Sequence, residues 1–281
     1  MERVKYCISI SLLLLFVTPT MAQRLTFIHT SDSHSRIEPF VRDTSNPHAD
    51  TGGFARRAAF VKEARLDAPD LFLIDCGDFS QGTPYYNMYK GDLEVILMNK
   101  MGYDVVALGN HEFGLGLDNL ARLYRMAGFE IVCANYDLTN TPLEGLVKPY
   151  TIIERNGVKV GFFGLSPRLD GLVLWDHHEG VVYHDPIETA NRVAAQLKAK
   201  GCDVIVCLSH LGIHIAGLNA IGDESLIPQT RNIDFVFGGH SHTYMTEPEE
   251  YYNLDGKSVK VLHTGKNASF VGKVEIILEQ K

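Results

Sequence analysis

Five short segments of this sequence carry side chains suited to holding metal ions. They are Thr30-Ser31-Asp32-Ser33-His34, Cys76-Gly77-Asp78, Gly109-Asn110-His111-Glu112, Ser209-His210-Leu211-Gly212 and Gly238-Gly239-His240-Ser241-His242. Each follows directly on an apolar run. Neutral imidazoles and carboxylates bind borderline transition ions without any thiolate. One carboxylate, with two oxygens, can bridge a pair of ions about 3.5–4 Å apart. Asp-x-His and His-x-His put two side chains on one side of an extended segment, because side chains alternate along a strand. The neighbouring glycines permit tight turns and close approach. Any one segment alone is an ordinary turn or a satisfied histidine. Five of them, each at a strand end, point to a two-ion centre. His48, His177, His178 and His184 form no such pattern and read as surface residues.

The elements that must position these segments alternate between strand and helix. Strands are expected at Leu25–His29, Leu71–Asp75, Val105–Leu108, Ile131–Ala134, Val204–Leu208, Asp234–Phe237, Val259–His263 and Ser269–Leu278. Helices are expected at Phe54–Leu66, Tyr85–Met101, Leu117–Met126 and Pro186–Lys200. Tyr150–Glu154 and Val158–Gly164 flank Arg155-Asn156-Gly157, a hairpin with the Asn-Gly turn signal. The alternation defines an α/β class. Hairpins at Asn156 and near the C-terminus argue against an all-parallel sheet. In such sheets, groups at the carboxyl ends of strands gather in one crevice, so ligands far apart in sequence can converge.

Of 281 residues, 45% are hydrophobic and 21% charged, enough apolar material for a core and no bias towards disorder. A net charge of −8 offers no general basic face for nucleic acid. Residues 1–22 read as a cleavable export signal. Arg3 and Lys5 precede an apolar run from Ile8 to Val17, and Thr20-Met21-Ala22 resembles a cleavage site. The run is short for a membrane span, which takes roughly 20 apolar residues. The mature chain is then one domain, 23–281, in the periplasm or outside the cell. Cys76, Cys133, Cys202 and Cys207 lie in apolar surroundings, form no C-x-x-C pair, and read as buried free thiols. The odd spacing of Cys202 and Cys207 predicts opposite faces of a strand.

The order D-x-H, G-D, G-N-H-E, a lone His after a strand, and G-H-x-H resembles the calcineurin-like metallophosphoesterase superfamily. Ser80-Gln81-Gly82-Thr83-Pro84, the Tyr85-Tyr86-Asn87-Met88-Tyr89-Lys90-Gly91 run and Met98-Asn99-Lys100-Met101-Gly102-Tyr103-Asp104 are similar to its secreted 5′-nucleotidase branch. So is Gly238-Gly239-His240-Ser241-His242-Thr243. The resemblance implies a two-sheet sandwich of mixed β-sheets flanked by helices. It implies two divalent ions, such as Mn, Zn, Fe or Co. Asp32, His34 and His242 would bind the first, Asn110, His210 and His240 the second, and Asp78 would bridge them. Water activated by the cations would attack phosphorus, and His111 would serve the phosphate or the leaving oxygen. The implied substrates are phosphate monoesters, foremost nucleoside 5′-monophosphates. Cyclic-nucleotide phosphodiester cleavage is the alternative enzyme reading, and a catalytically weak metal-binding half the non-enzyme one.

Two departures stand out. The branch pairs its catalytic histidine with an Asp three residues on, where this sequence has Gly114. Glu112 and Asp118 are the nearest substitutes in sequence. Branch members also carry a further C-terminal domain that stacks the base, whereas this sequence stops at Lys281. A separately encoded nucleotide-binding domain is therefore an expected partner. Tyr85, Tyr86, Tyr89 and Trp175 are aromatics of the right type for substrate contact, with packing the stronger reading for Tyr86 and Tyr89.

Overall fold

The computed structural model describes residues 23–41, 45, 49–215 and 221–278. The expected export segment and His48 lie outside them.

Two mixed sheets stack against each other. The strands begin with β1 (Gln23–Thr30), β2 (Phe72–Asp75), β3 (Val105–Ala107), β4 (Glu130–Val132), β5 (Tyr136–Asp137), β6 (Tyr150–Arg155) and β7 (Val158–Leu165). They continue with β8 (Val182–Tyr183), β9 (Val204–Ser209), β10 (Phe235–Gly238), β11 (Glu249–Tyr252), β12 (Ser258–His263) and β13 (Gly272–Leu278). One sheet runs β13-β1-β2-β3-β4, the other β11-β12-β10-β9-β7-β6, and β5 pairs β8 apart from both. In each large sheet the inner pairings are parallel, while β13, β6 and β11 add antiparallel edges. The two-sheet sandwich expected from the resemblance is present.

Alternation explains why the strands read as unbroken apolar runs. Phe27, Phe72, Ile74 and Val105 of the first sheet meet Phe162, Val206, Leu208 and Phe237 of the second in one core between the sheets. The intervening Ile28, Leu73 and Val106 face outward onto helices α1 (Phe54–Asp67), α3 (Asp92–Met101) and α4 (Gly116–Met126). Ile205, Cys207 and Val236 face α5 (Pro186–Ala199) on the other side. Inner strands such as β2, β3 and β9 are buried on both faces, so both registers of their alternation must be apolar.

Several local expectations need correcting. The single helix expected over Tyr85–Met101 is two: α2 (Pro84–Tyr89) and α3, broken at Lys90 and Gly91, both left-handed. A Cβ on Gly91 would meet Leu123 Cδ1 at 2.6 Å, so the break lets α4 come close. The last two expected strands do not pair with each other. β12 joins the second sheet, hairpinned to β11, and β13 crosses back to β1. Cys202 precedes β9, so strand alternation does not govern it, and it shares one core cluster with Cys207. Cys76, Cys133, Cys202 and Cys207 are buried and free. His178 is buried and not on the surface. The Asn156-Gly157 hairpin forms as expected, with both residues at positive φ.

Candidate metal centre

The five segments meet where the parallel strands end. Asp32 and His34 follow β1, Asp78 follows β2, Asn110 and His111 follow β3, His210 follows β9, and His240 and His242 follow β10. Backbone bonds splice these loops together. Asp32 N–H donates to Gly77 O at 2.9 Å, His34 N–H to Asp78 O at 3.0 Å, and Gly239 N–H to Ser209 O at 3.0 Å. His210 spans the two sheets, its Nδ1 lying 2.7 Å from Cys76 O.

Three donor groupings result, each with its ligand atoms within 4.8 Å of one another. They are Asp32–His34–His242, Asp78–His210–His240 and His34–Asp78–His111. Asp78 belongs to two of them. Its Oδ2 lies 2.9 Å from His210 Nε2 and 3.9 Å from His111 Nε2. His34 Nε2 and His242 Nε2 are 3.0 Å apart. Asp32 also accepts from the His240 amide at 3.1 Å. The two histidines of His-x-His thus serve different groupings, against the same-side expectation for an extended segment. The reason is local. Asp32, His34, Asp78, His240 and His242 all have positive φ, from 47° to 70°. They occupy left-handed turns and not extensions of the strands. Such conformations cost about 1–3 kcal/mol each and persist where surrounding structure over-determines them, typically at functional sites.

The donor chemistry suits divalent cations. A carbonyl can only accept, so His210 Nδ1 against Cys76 O and His34 Nδ1 against Gln81 O, 3.2 Å away, must carry the ring protons. Each Nε2 is then the atom that would give a lone pair to a cation. Burial lowers the His34 and His240 pKa values to about 4, keeping both neutral, the form that ligates. Asn110 Oδ1 and His210 Nε2 are buried without a hydrogen-bond partner among the described residues. His210 Nε2 lies 2.9 Å from Asp78 Oδ2, a contact between two groups that a bound cation would join.

Carboxylates crowd the same volume. Burial, with Asp78 adding like charge, raises Asp32 to about 7. Burial opposes charge on His210, but Asp78, Asp32 and Glu112 outweigh it and push its pKa up to about 10. Asp78 is lowered despite its burial, by His210, His111 and His34. A buried centre in which Asp32 and Asp78 crowd each other is one that cations satisfy.

Glu112, the nearest substitute in sequence for the missing carboxylate, is not the partner of His111. It is buried and accepts from the amides of Gly109 at 2.7 Å, Asp78 at 2.9 Å and Ser80 at 3.3 Å, clamping two ligand loops together. Asp118 lies in the first turn of α4. The partner of His111 Nδ1 is Gln81 Oε1, at 2.7 Å. Sequence reasoning missed Gln81, and no spacing rule singles it out within Ser80-Gln81-Gly82-Thr83-Pro84. Tyr86 is buried, Tyr89 stacks on Tyr85 at a ring separation of 6.4 Å, and Trp175 is exposed.

Fold and centre together define a metallophosphoesterase. The chain belongs to the calcineurin-like phosphoesterase family, whose signature spans residues 25–244. It is 31% identical over 276 residues to a snake venom 5′-nucleotidase of Gloydius brevicauda, covering 92% of this chain and 46% of that protein. It is 30% identical over 280 residues to a human 5′-nucleotidase, covering 92% and 47%. The 5′-nucleotidase precursor of Thermus thermophilus superposes with a TM-score of 0.82 at 34% identity, over 90% of this chain and 51% of that one. The calcineurin-like phosphoesterase YfkN of Bacillus subtilis gives 0.76 at 30% identity, over 93% and 87%. The chain spans about half the length of the curated relatives it matches.

Proposed function

We propose that this chain hydrolyses phosphate monoesters, with nucleoside 5′-monophosphates as favoured substrates, at a dinuclear divalent-metal centre. Asp32, His34 and His242 would hold one cation, and Asn110, His210 and His240 the other, with Asp78 shared. The observation that carries this reading is the convergence of three donor groupings, two of which share Asp78. When bound, the cations lower the pKa of water and neutralise charge on phosphoryl oxygens.

The chain's own residues supply the rest. His111, with Nδ1–H engaged, presents Nε2 on the Asp78 side of the centre, where the imidazolium form would give its Nε2 proton to the leaving oxygen and return to the neutral Nδ1–H tautomer. The amides around Glu112 and Asp32 keep the ligand loops rigid, so little reorganisation is needed on reaction. A cavity of about 670 Å³ opens beside His240, lined by Arg168, Leu172, Tyr183, Leu211 and Ile221. Its size suits a small-molecule leaving group.

The chain matches about half of each curated relative, so recognition of the base by a further nucleotide-binding domain belongs to the same proposal. Export by removal of residues 1–22, with residues 23–281 as the working domain, completes it. No helix among the described residues is long and apolar enough to cross a membrane. The test is turnover by the chain reconstituted with Mn²⁺, Zn²⁺, Fe²⁺ or Co²⁺ on AMP, p-nitrophenyl phosphate and bis(p-nitrophenyl) phosphate. Hydrolysis of both monoesters, abolished by chelation, is expected. A folded, metal-loaded protein that turns over only the diester, or nothing, would overturn the reading.

A further inference from the structure

We propose that Gln81 is the positioning residue of the centre, a neutral amide that replaces the missing carboxylate at position 114 and orients two imidazoles at once. The proposal rests on the phosphomonoesterase reading above for its kinetic consequences and on geometry alone for its structural one.

The side chain and the backbone of Gln81 each engage a different histidine. Oε1 lies 2.7 Å from His111 Nδ1, and the backbone carbonyl lies 3.2 Å from His34 Nδ1. An amide oxygen accepts and does not donate, so His111 carries its ring proton on Nδ1 and turns Nε2 towards Asp78. The same logic leaves His34 Nε2 free to face His242. Both rings are fixed in tautomer and direction by one residue.

Gly114 explains why the amide can stand there. Its φ is not positive, so no backbone conformation demands glycine. A Cβ built on it would meet Gln81 Oε1 at 2.9 Å, Gln81 Cδ at 3.1 Å and Tyr86 Oη at 3.1 Å. The amide therefore fills the volume that a side chain at 114 would enter. Residue 81 with a long amide and residue 114 with no side chain are two halves of one solution.

The loop carrying Gln81 is held on both sides. Ser80 N–H and Oγ both lie 3.3 Å from Glu112 Oε1. Thr83 Oγ1 donates to Ser35 O at 2.7 Å. Gln81 has φ 62°, and a Cβ on the following Gly82 would meet His34 O at 2.7 Å. This close approach presses the loop onto the His34 turn. The amide is positioned before substrate arrives, and a 1 Å error in such placement can cost about 10²-fold.

A carboxylate at 114 and the amide at 81 would compete for one nitrogen and one space, so their effects must depend on each other. The experiment is a four-member cycle of wild type, Gln81→Ala, Gly114→Asp and the double variant, with Gln81→Met as a same-length control that lacks the acceptor. Each is tested for metal content, kcat/KM on AMP and on p-nitrophenyl phosphate, and ¹⁵N imidazole shifts, with His111 assigned by loss of its signals in His111→Ala. Gln81→Ala and Gln81→Met should lose about 10- to 100-fold on AMP, whose leaving group needs a proton, and much less on the p-nitrophenyl ester. The His111 signals should show loss of the fixed Nδ1–H tautomer while metal content holds. Gly114→Asp should restore AMP turnover more in the Gln81→Ala background than in wild type. An unchanged AMP to p-nitrophenyl ratio and an unchanged His111 tautomer in both Gln81 variants would overturn the proposal. If wild type turns over neither ester, the functional reading fails, and the tautomer measurement still decides the role of Gln81.

Discussion

Asp78 is the residue on which both halves of the centre depend. Its Oδ2 approaches His210, and its side chain groups with His34 and with His240. Its Oδ1 accepts the His111 amide at 2.8 Å, so it also fixes the backbone that carries His111. Asp78→Asn should therefore reduce bound metal from about two ions per chain to one or fewer and lower kcat by at least about 10²-fold. Elemental analysis after gel filtration, beside kinetics at saturating metal, checks this; full metal occupancy in the variant would contradict it. His242 and His240 separate cleanly, one grouping with Asp32 and His34, the other with Asp78 and His210. His242→Ala should weaken the ion beside His34 and spare the one beside His210. Anomalous diffraction from crystals grown with Mn²⁺ reads this directly, and loss at the His210 position would reverse the assignment. The types and order of these residues were legible in the sequence, because each segment follows an apolar run. The identity of the His111 partner was not, because Gln81 and His111 are 30 positions apart and belong to different loops.

At the scale of elements, strand ends supply the residues and turns aim them. Parallel strands deliver five loops to one edge, and the left-handed turns at Asp32, His34, Asp78, His240 and His242 bring the side chains inward. The helices follow a different constraint, close packing. α2 and α3 are separate because Gly91, at φ 96°, brings the chain against Leu123 of α4. Gly91→Ala combines a left-handed backbone with a clash and should cost about 1–3 kcal/mol. Urea unfolding followed by circular dichroism measures it, and since Gly91 lies outside the ligand loops, metal content in the folded variant should match wild type. A neutral substitution would mean that α4 shifts freely. Helical periodicity in the sequence continued through this break, since Tyr86 and Met98 are apolar on either side of it.

The whole molecule is held by the core between its two sheets. Phe27 is fully buried there, stacked on Phe72 at 5.1 Å and near Phe237 at 5.7 Å. Phe27→Ala should destabilise by about 3–5 kcal/mol, readable from denaturant midpoints. It should also weaken metal binding, because the first grouping joins a loop of one sheet to a loop of the other. His29 sits at the same level, its ring 4.5 Å from Phe237 and both nitrogens without a partner among the described residues. Burial, with nearby His263 adding, lowers its pKa to about 3. The unfolded chain takes up that proton near pH 6.5, whereas the folded chain resists until about pH 3. Its contribution is thus fully present above about pH 6.5 and is lost as pH falls towards 3. His29→Leu should flatten the decline of Tm between pH 6.5 and 4 relative to wild type, because the raised carboxylates such as Asp32 remain in both. Parallel slopes would show that His29 carries none of the acid sensitivity.

What the sequence determined by itself was local and chemical. Apolar runs marked most of the strands in the two large sheets, the Asn156-Gly157 turn marked its hairpin, and the ligand set in its order marked the family. β11 was not legible, because Glu249–Tyr252 is an exposed edge whose residues carry no buried alternation. The pairing of the last strands was decided only in three dimensions, since β12 and β13 look alike in sequence but β13 returns to β1 in the other sheet. The division of donors among three groupings, and the fit of Gln81 into the space left by Gly114, were likewise tertiary outcomes. Side-chain alternation and turn preference act over a few residues, so a sequence states them outright. Which loops touch depends on how two sheets stack and how far each turn bends inward, and those distances exist only once the core between the sheets has closed.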